Sequence, residues 1–181
     1  MPGCADIVLF AGHNASINGK LYAAAAALPH AELSAERGAF FGSLLGTLNH
    51  IVAGDTIWLK RFSAHPAGLR SLQAMQEMAL PAGLSEQFAA DLPSLLVQRQ
   101  RLDAIILAMA DELTAGHLDA VLTYRNSRGQ FSRYFGSLLL HFFNHQTHHR
   151  GQASTLLSQA GIDLGVTDLL EAIPLIDAPQ D

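Results

Sequence analysis

The residues best suited to chemistry lie between Leu138 and Gln152, in the run LLLHFFNHQTHHRGQ. Four of the chain's nine histidines, His141, His145, His148 and His149, fall within it. Imidazole is the commonest metal-ligating side chain, and residues three or four apart on a helix share a face, with Cβ atoms about 5–6 Å apart. The pairs His141/His145, His145/His148 and His145/His149 are therefore each spaced to chelate one ion, and His145 is common to all three. His141 and His149 would stand about 12 Å apart along the axis at 1.5 Å per residue. One ion cannot use all four.

A further histidine, His50, has Gly46 four residues before it and Gly54 four residues after it. Small neighbours above and below leave space along its face, which suits a ligand that must meet another helix. Each glycine costs a helix about 1 kcal/mol relative to alanine, so a local reason for them is expected. What is missing narrows the chemistry further. No carboxylate occurs between Asp119 and Asp163, so this helix cannot supply the Glu-x-x-His ligands of di-iron bundles. Gln146 follows His145, where the HExxH motif of zinc peptidases carries its glutamate base. A site of neutral histidines leaves the ion its full charge, and three protein ligands with an open position is the catalytic style of zinc site.

The elements that must position these residues read as helices. Ile7, Phe10, Ala11, Asn14, Leu21, Ala25 and Leu28 fall on one face of a helix over about 5–28, which Pro29 closes. Asn14 and Asn18, on or beside that stripe, need a partner or a cavity. A second helix is expected from about Ser34 to Phe62, with Phe41, Leu44, Leu45, Leu48, Val52, Leu59 and Phe62 inward. From Ser63 to about Ser85 the pattern breaks at Pro66, Gly68, Pro81 and Gly83, leaving a short helix within 69–78 in a long crossover connection. Asp91 caps a third helix reaching Leu113, with Pro93 in its first turn. Residues 119–134 form either a small β-hairpin or an irregular loop. The histidine-rich helix spans about 131–160 and ends at Gly161. The tail carries a short apolar piece at 166–173. The expectation is an all-α fold, a four-helix bundle with a long crossover connection, forming a single domain over 1–181.

Composition sets the outer limits. The chain is 49% hydrophobic and 15% charged, in the folded-globular range. A net charge of −5 disfavours nucleic-acid binding. The single cysteine, Cys4, allows no disulfide framework. No positively charged leader and no run of 18 apolar residues is present, which predicts a cytoplasmic protein without a membrane partner.

Two stretches together resemble the DinB-like (damage-inducible) family. Leu48-Asn49-His50-Ile51 through Asp55-Thr56-Ile57-Trp58 is similar to its first ligand helix, and Asn144-His145-Gln146-Thr147-His148-His149-Arg150-Gly151-Gln152 to its His-x-x-x-His-Arg-Gly-Gln motif. The resemblance extends over nearly the whole chain. It implies a four-helix bundle, often a homodimer, holding one divalent metal through His50, His145 and His149. It further implies a metal-dependent thiol S-transferase or hydrolase-like enzyme acting on a small-molecule substrate with a low-molecular-weight thiol. The alternative is a non-catalytic metal-binding stress-response protein. Three imidazoles suit zinc or nickel first, then iron or copper. Arg150, Trp58 and Tyr124 are the candidates for contact with a bound cofactor or substrate, and Tyr124 with Arg125 for the mouth of the pocket. Trp58 serves equally well as a core residue. Asn14 and Asp55 are candidates for orienting the ligand imidazoles. His141 and His148 fall outside the ligand positions, and His13, His30, His65 and His117 receive no role.

Overall fold

In the computed structural model, residues 2–81, 83 and 87–176 are described. The frame is four long helices: α1 (Cys4–Ala25), α3 (Leu44–Phe62), α5 (Leu92–Glu112) and α7 (Phe135–Gln159). The connections hold three short ones, α2 (His30–Ser34), α4 (Gln73–Glu77) and α6 (Ala115–Asp119). Both α1 and α3 pack chiefly on α5 and α7 and not on each other, so the first two long helices are not main neighbours and the topology is not plain up-and-down. The fold is the expected all-α bundle, with one addition: strands β1 (Val121–Asn126) and β2 (Gly129–Tyr134) pair antiparallel, Val121 opposite Tyr134.

Helical periodicity explains what each helix buries. On α1 the buried positions are Ile7, Ala11, Asn14, Ile17, Asn18, Leu21, Tyr22 and Ala25, spaced three and four apart with neighbours filling the stripe. Helix α3 is enclosed on almost every side, with His50 and Asp55 among its buried residues. The Asp91 carboxylate accepts the Ser94 amide at 2.8 Å and caps α5. Gly161, in the left-handed region at φ 79°, ends α7.

The two asparagines on α1 have their partners in the core. Asn18 donates to Asp103 Oδ1 at 2.9 Å and Asn14 donates to the same oxygen at 3.3 Å. Arg99, 1% exposed, pairs with the fully buried Asp55 and, at 3.0 Å, with Asp103. Arg150 of α7 donates to Asn14 Oδ1. Burial alone would lower the pKa of Arg99, but the carboxylates of Asp55 and Asp103 outweigh it and raise it, so the guanidinium stays charged. Residues from all four long helices meet in this network.

Several boundaries differ from the periodicity. The second long helix starts at Leu44 and not at Ser34. Ser43 caps it by accepting the Gly46 amide at 3.0 Å, and the preceding turn takes Gly38 and Gly42 to φ of 66° and 74°. The histidine-rich helix starts at Phe135 because the four residues before it are held in β2. The first helix ends at Ala25, short of Leu28. The crossover holds a 3-10 turn at Arg70–Leu72 followed by α4, and its expected end at Ser85 lies outside the described residues. The apolar tail segment forms only a 3-10 turn, Leu169–Ala172, with no buried residue, and the tail beyond Ile176 is likewise outside the described residues.

Removing one member of a buried ion pair leaves the other charge unpaired, at a cost of about 3–5 kcal/mol. Arg99→Met is therefore expected to lower stability by about that amount in urea unfolding. Arg99→Lys should recover only part of it, because an ammonium lacks the planar fork that serves two carboxylates at once.

Candidate metal centre

The bundle brings His50 of α3 to His145 and His149 of α7. Their ring nitrogens lie within 4.8 Å of one another. His149 Nε2 is 3.0 Å from His50 Nε2 and 3.2 Å from His145 Nε2. Two imidazole nitrogens bound at 2.0–2.1 Å to a tetrahedral ion stand about 3.3 Å apart. The cluster thus has the spacing of a ligand set, and it could hold a metal ion.

The surroundings keep the two α7 rings neutral and aim that of His149. Burial, reinforced by the charge that neighbouring histidines would carry, pushes the pKa of His145 down to about 3. Burial also lowers His149, against a hydrogen bond donated to Gln152 that acts the other way. A lowered histidine pKa favours the unprotonated ring, so at pH 7 both carry a lone pair. Gln152 decides where that lone pair lies on His149. Its Oε1 stands 2.8 Å from Nδ1, which places the proton there and leaves Nε2 free to face the cluster. The Gln152 amide nitrogen lies 3.3 Å from His148 Nε2, so the exposed His148 steadies the glutamine. Phe41 stacks on His50 with centroids 3.8 Å apart and meets His149 edge-on.

Both glycines beside His50 have an explanation, and neither serves His50 directly. A Cβ on Gly54 would lie 2.9 Å from His145 Cε1, so this glycine admits the ring arriving from α7. A Cβ on Gly46 would meet the Phe41 carbonyl oxygen at 2.1 Å, so the second admits the loop that carries Phe41. Gly151 has open space around it, and helix packing does not require a glycine there.

A cavity of about 820 Å³ reaches His145 from the side of α3, β1 and the turn that follows β1. Trp58 and Tyr124 line it, with rings 5.4 Å apart, and so does Arg125. His141 lies between Trp58, at 5.0 Å, and His145, at 6.1 Å. Trp58 also packs against the core at Phe62, so both of its expected places hold together. Arg150 is elsewhere: it is buried, bonded to Asn14, Gln146 and Thr147, and it does not line this cavity. Asn14 and Asp55 belong to the charged core network, where they bond to Asp103 and Arg99.

Periodicity alone leaves three further contributors out of view. Gln152 sits in the quoted motif, three residues after His149, the spacing that puts them on one face. Arg61 follows His50, Gly54 and Trp58 along one side of α3, a signal present at spacings of four, four and three. Phe41, expected on the apolar stripe of the second helix, sits instead in the loop before Leu44, where that spacing gives no sign of its stacking on His50.

A family model, the DinB family, matches residues 1–175. Neither the curated proteins nor the solved structures give a match to the chain.

Gly54→Ala is expected to leave the bundle folded but shift the His145 ring, lowering affinity for a divalent ion. Gln152→Ala should have the same effect through His149, and losses of about 10–100-fold are usual when support behind a metal ligand is removed. Competition against a chromophoric chelator measures both. Gly12→Ala, with nothing within 4 Å of the added Cβ, serves as the control and should not change affinity.

Proposed function

Because the chain belongs to the DinB family over residues 1–175, we propose that it is a metal-dependent enzyme that transfers or uses a low-molecular-weight thiol on an electrophilic small molecule. The observation that carries this reading is the convergence of three ring nitrogens, one of them on His145, whose side chain also lines a cavity large enough for a small substrate. His50, His145 and His149 would hold one divalent ion, zinc or nickel first, whose charge lowers the pKa of a nearby thiol from its free value of about 8.5. The neutral ligands subtract nothing from that charge.

The chain's own residues have separable tasks in this reaction. Gln152 keeps the proton of His149 on Nδ1 and its lone pair toward the centre. Phe41 closes one side of His50 and excludes water from it. The cavity reaches the cluster at His145, where Trp58 and Tyr124 line the way for an entering molecule. Among the described residues the cluster contains no carboxylate, so no side chain there is placed as a general base in the manner of a zinc peptidase.

Untagged protein should carry one divalent ion per chain by elemental analysis, and His145→Ala should carry almost none. The metal-loaded chain should consume a thiol in the presence of an electrophile, and chelation should abolish that consumption. Metal-free wild-type protein, or a cobalt-substituted form whose spectrum ignores added thiol and imidazole, would overturn the reading in favour of a non-catalytic protein.

A further inference from the structure

The cavity at His145 has a charge at odds with the rest of the molecule. The chain is −5 overall with 11 lysines and arginines, yet Lys60, Arg61, Arg125 and Arg128 all line this one cavity. No aspartate or glutamate among the described residues lines it. None of the four cations forms an ion pair among the described residues, where the pairs are Arg37–Glu32, Arg99–Asp55 and Arg99–Asp103. Lys60 is held by the backbone carbonyl of Gln76 at 2.8 Å and by that of Met78, which orients its charge without neutralising it. Arg61 lies over the rings of Trp58 at 4.7 Å and Tyr124 at 5.2 Å. Stacking fixes the plane of a guanidinium and leaves its N–H edge available, which is the arrangement that receives a carboxylate through two parallel hydrogen bonds.

We infer that the cavity takes an anionic small molecule, a carboxylate-bearing one, with Arg61 as its principal contact and the hairpin arginines, Arg125 and Arg128, drawing it in. The inference rests on reading this cavity as the substrate entrance of the three-histidine site, and it adds the charge of what enters. Like-signed charges crowded into a concave site repel one another, and an incoming anion relieves that repulsion. The site is a cavity of small-molecule size, which favours a small anion over a phosphate polymer. An anionic thiol would then be oriented with its charged end at Arg61 and its sulfur toward His145.

Trp58 is the only tryptophan and lines the cavity, so its emission reports occupancy. Full-length protein, zinc-loaded or chelated, would be titrated with succinate, with neutral succinamide, and with 3-mercaptopropionate. Succinate is expected to saturate with a Kd at least about tenfold below that of succinamide, the scale of one lost charge-assisted contact. Arg61→Gln should abolish the preference. Arg128→Gln, on the exposed hairpin turn, should weaken succinate by a smaller factor, and added salt should weaken it further. Equal binding of succinate and succinamide, no saturable response to succinate, or an undiminished preference in both variants would overturn the inference. The thiol reading is scored separately: 3-mercaptopropionate should gain affinity over succinate only in the zinc-loaded protein. Absence of that gain would sink the thiol reading while the succinate preference still stands or falls alone.

Discussion

A single guanidinium shared between two carboxylates in the bundle core is the constraint on which the remaining geometry depends. Arg99 and Asp103 come from α5, Asp55 from α3, Asn14 and Asn18 from α1, and Arg150 from α7. Buried charges are tolerable only when paired and hydrogen-bonded. A network with members on four helices meets that condition only at one relative rotation and height of those helices. The three histidines inherit this alignment. Asp55 follows Gly54, which receives the His145 ring, and Arg150 follows His149. Adjacent residues on a helix point about 100° apart, so α7 can send Arg150 toward α1 and His149 toward α3.

The network also matters for what it does not do electrically. Two arginines and two aspartates cancel, so the core delivers little net field to the histidine cluster beside it. Arg150 lies down at a pKa of about 10 because burial outweighs the aspartates nearby, but it remains charged at neutral pH. The cluster is therefore governed by its immediate walls: the ring of Phe41, the Gln152 side chain and the glycine surface at Gly54. These walls are neutral, and they differ in kind from the basic lining of the cavity that reaches His145. A neutral centre with a charged entrance separates binding of an ion from recognition of a substrate.

The hairpin shows how a small departure from an all-helical plan can matter. Its strands bury little, and Leu122 is the one fully enclosed residue of β1. Its position is held at its base, where the Phe135 amide donates to the Ala120 carbonyl at 2.9 Å. From there it sets Tyr124 across from Trp58 and carries Arg125 of β1 and Arg128 of the turn to the cavity.

Much of this was legible in the residues themselves. Apolar spacing located four long helices, Asp91 announced its cap, and the excess of histidine on an apolar helix marked the place for chemistry. The two asparagines on the stripe of α1 demanded partners, although nothing in their spacing said that the partner would be Asp103. Boundaries were less legible where a turn or strand competed with periodicity, as at Ser43 and Phe135, because apolar spacing continues through residues whose backbone hydrogen bonds are spent elsewhere. The pairs open to His145 by spacing alone could not be resolved without knowing which face of α7 meets α3. The glycines around His50 carried a true signal with its reason hidden, since one admits a ring arriving from α7 and the other the carbonyl of the loop residue Phe41. Local sequence thus determined which helices form and which residue types they carry. Only the tertiary structure decided which histidines meet, what orients them and which charges collect at the entrance, because those are distances between elements, set by packing and not by spacing along one chain.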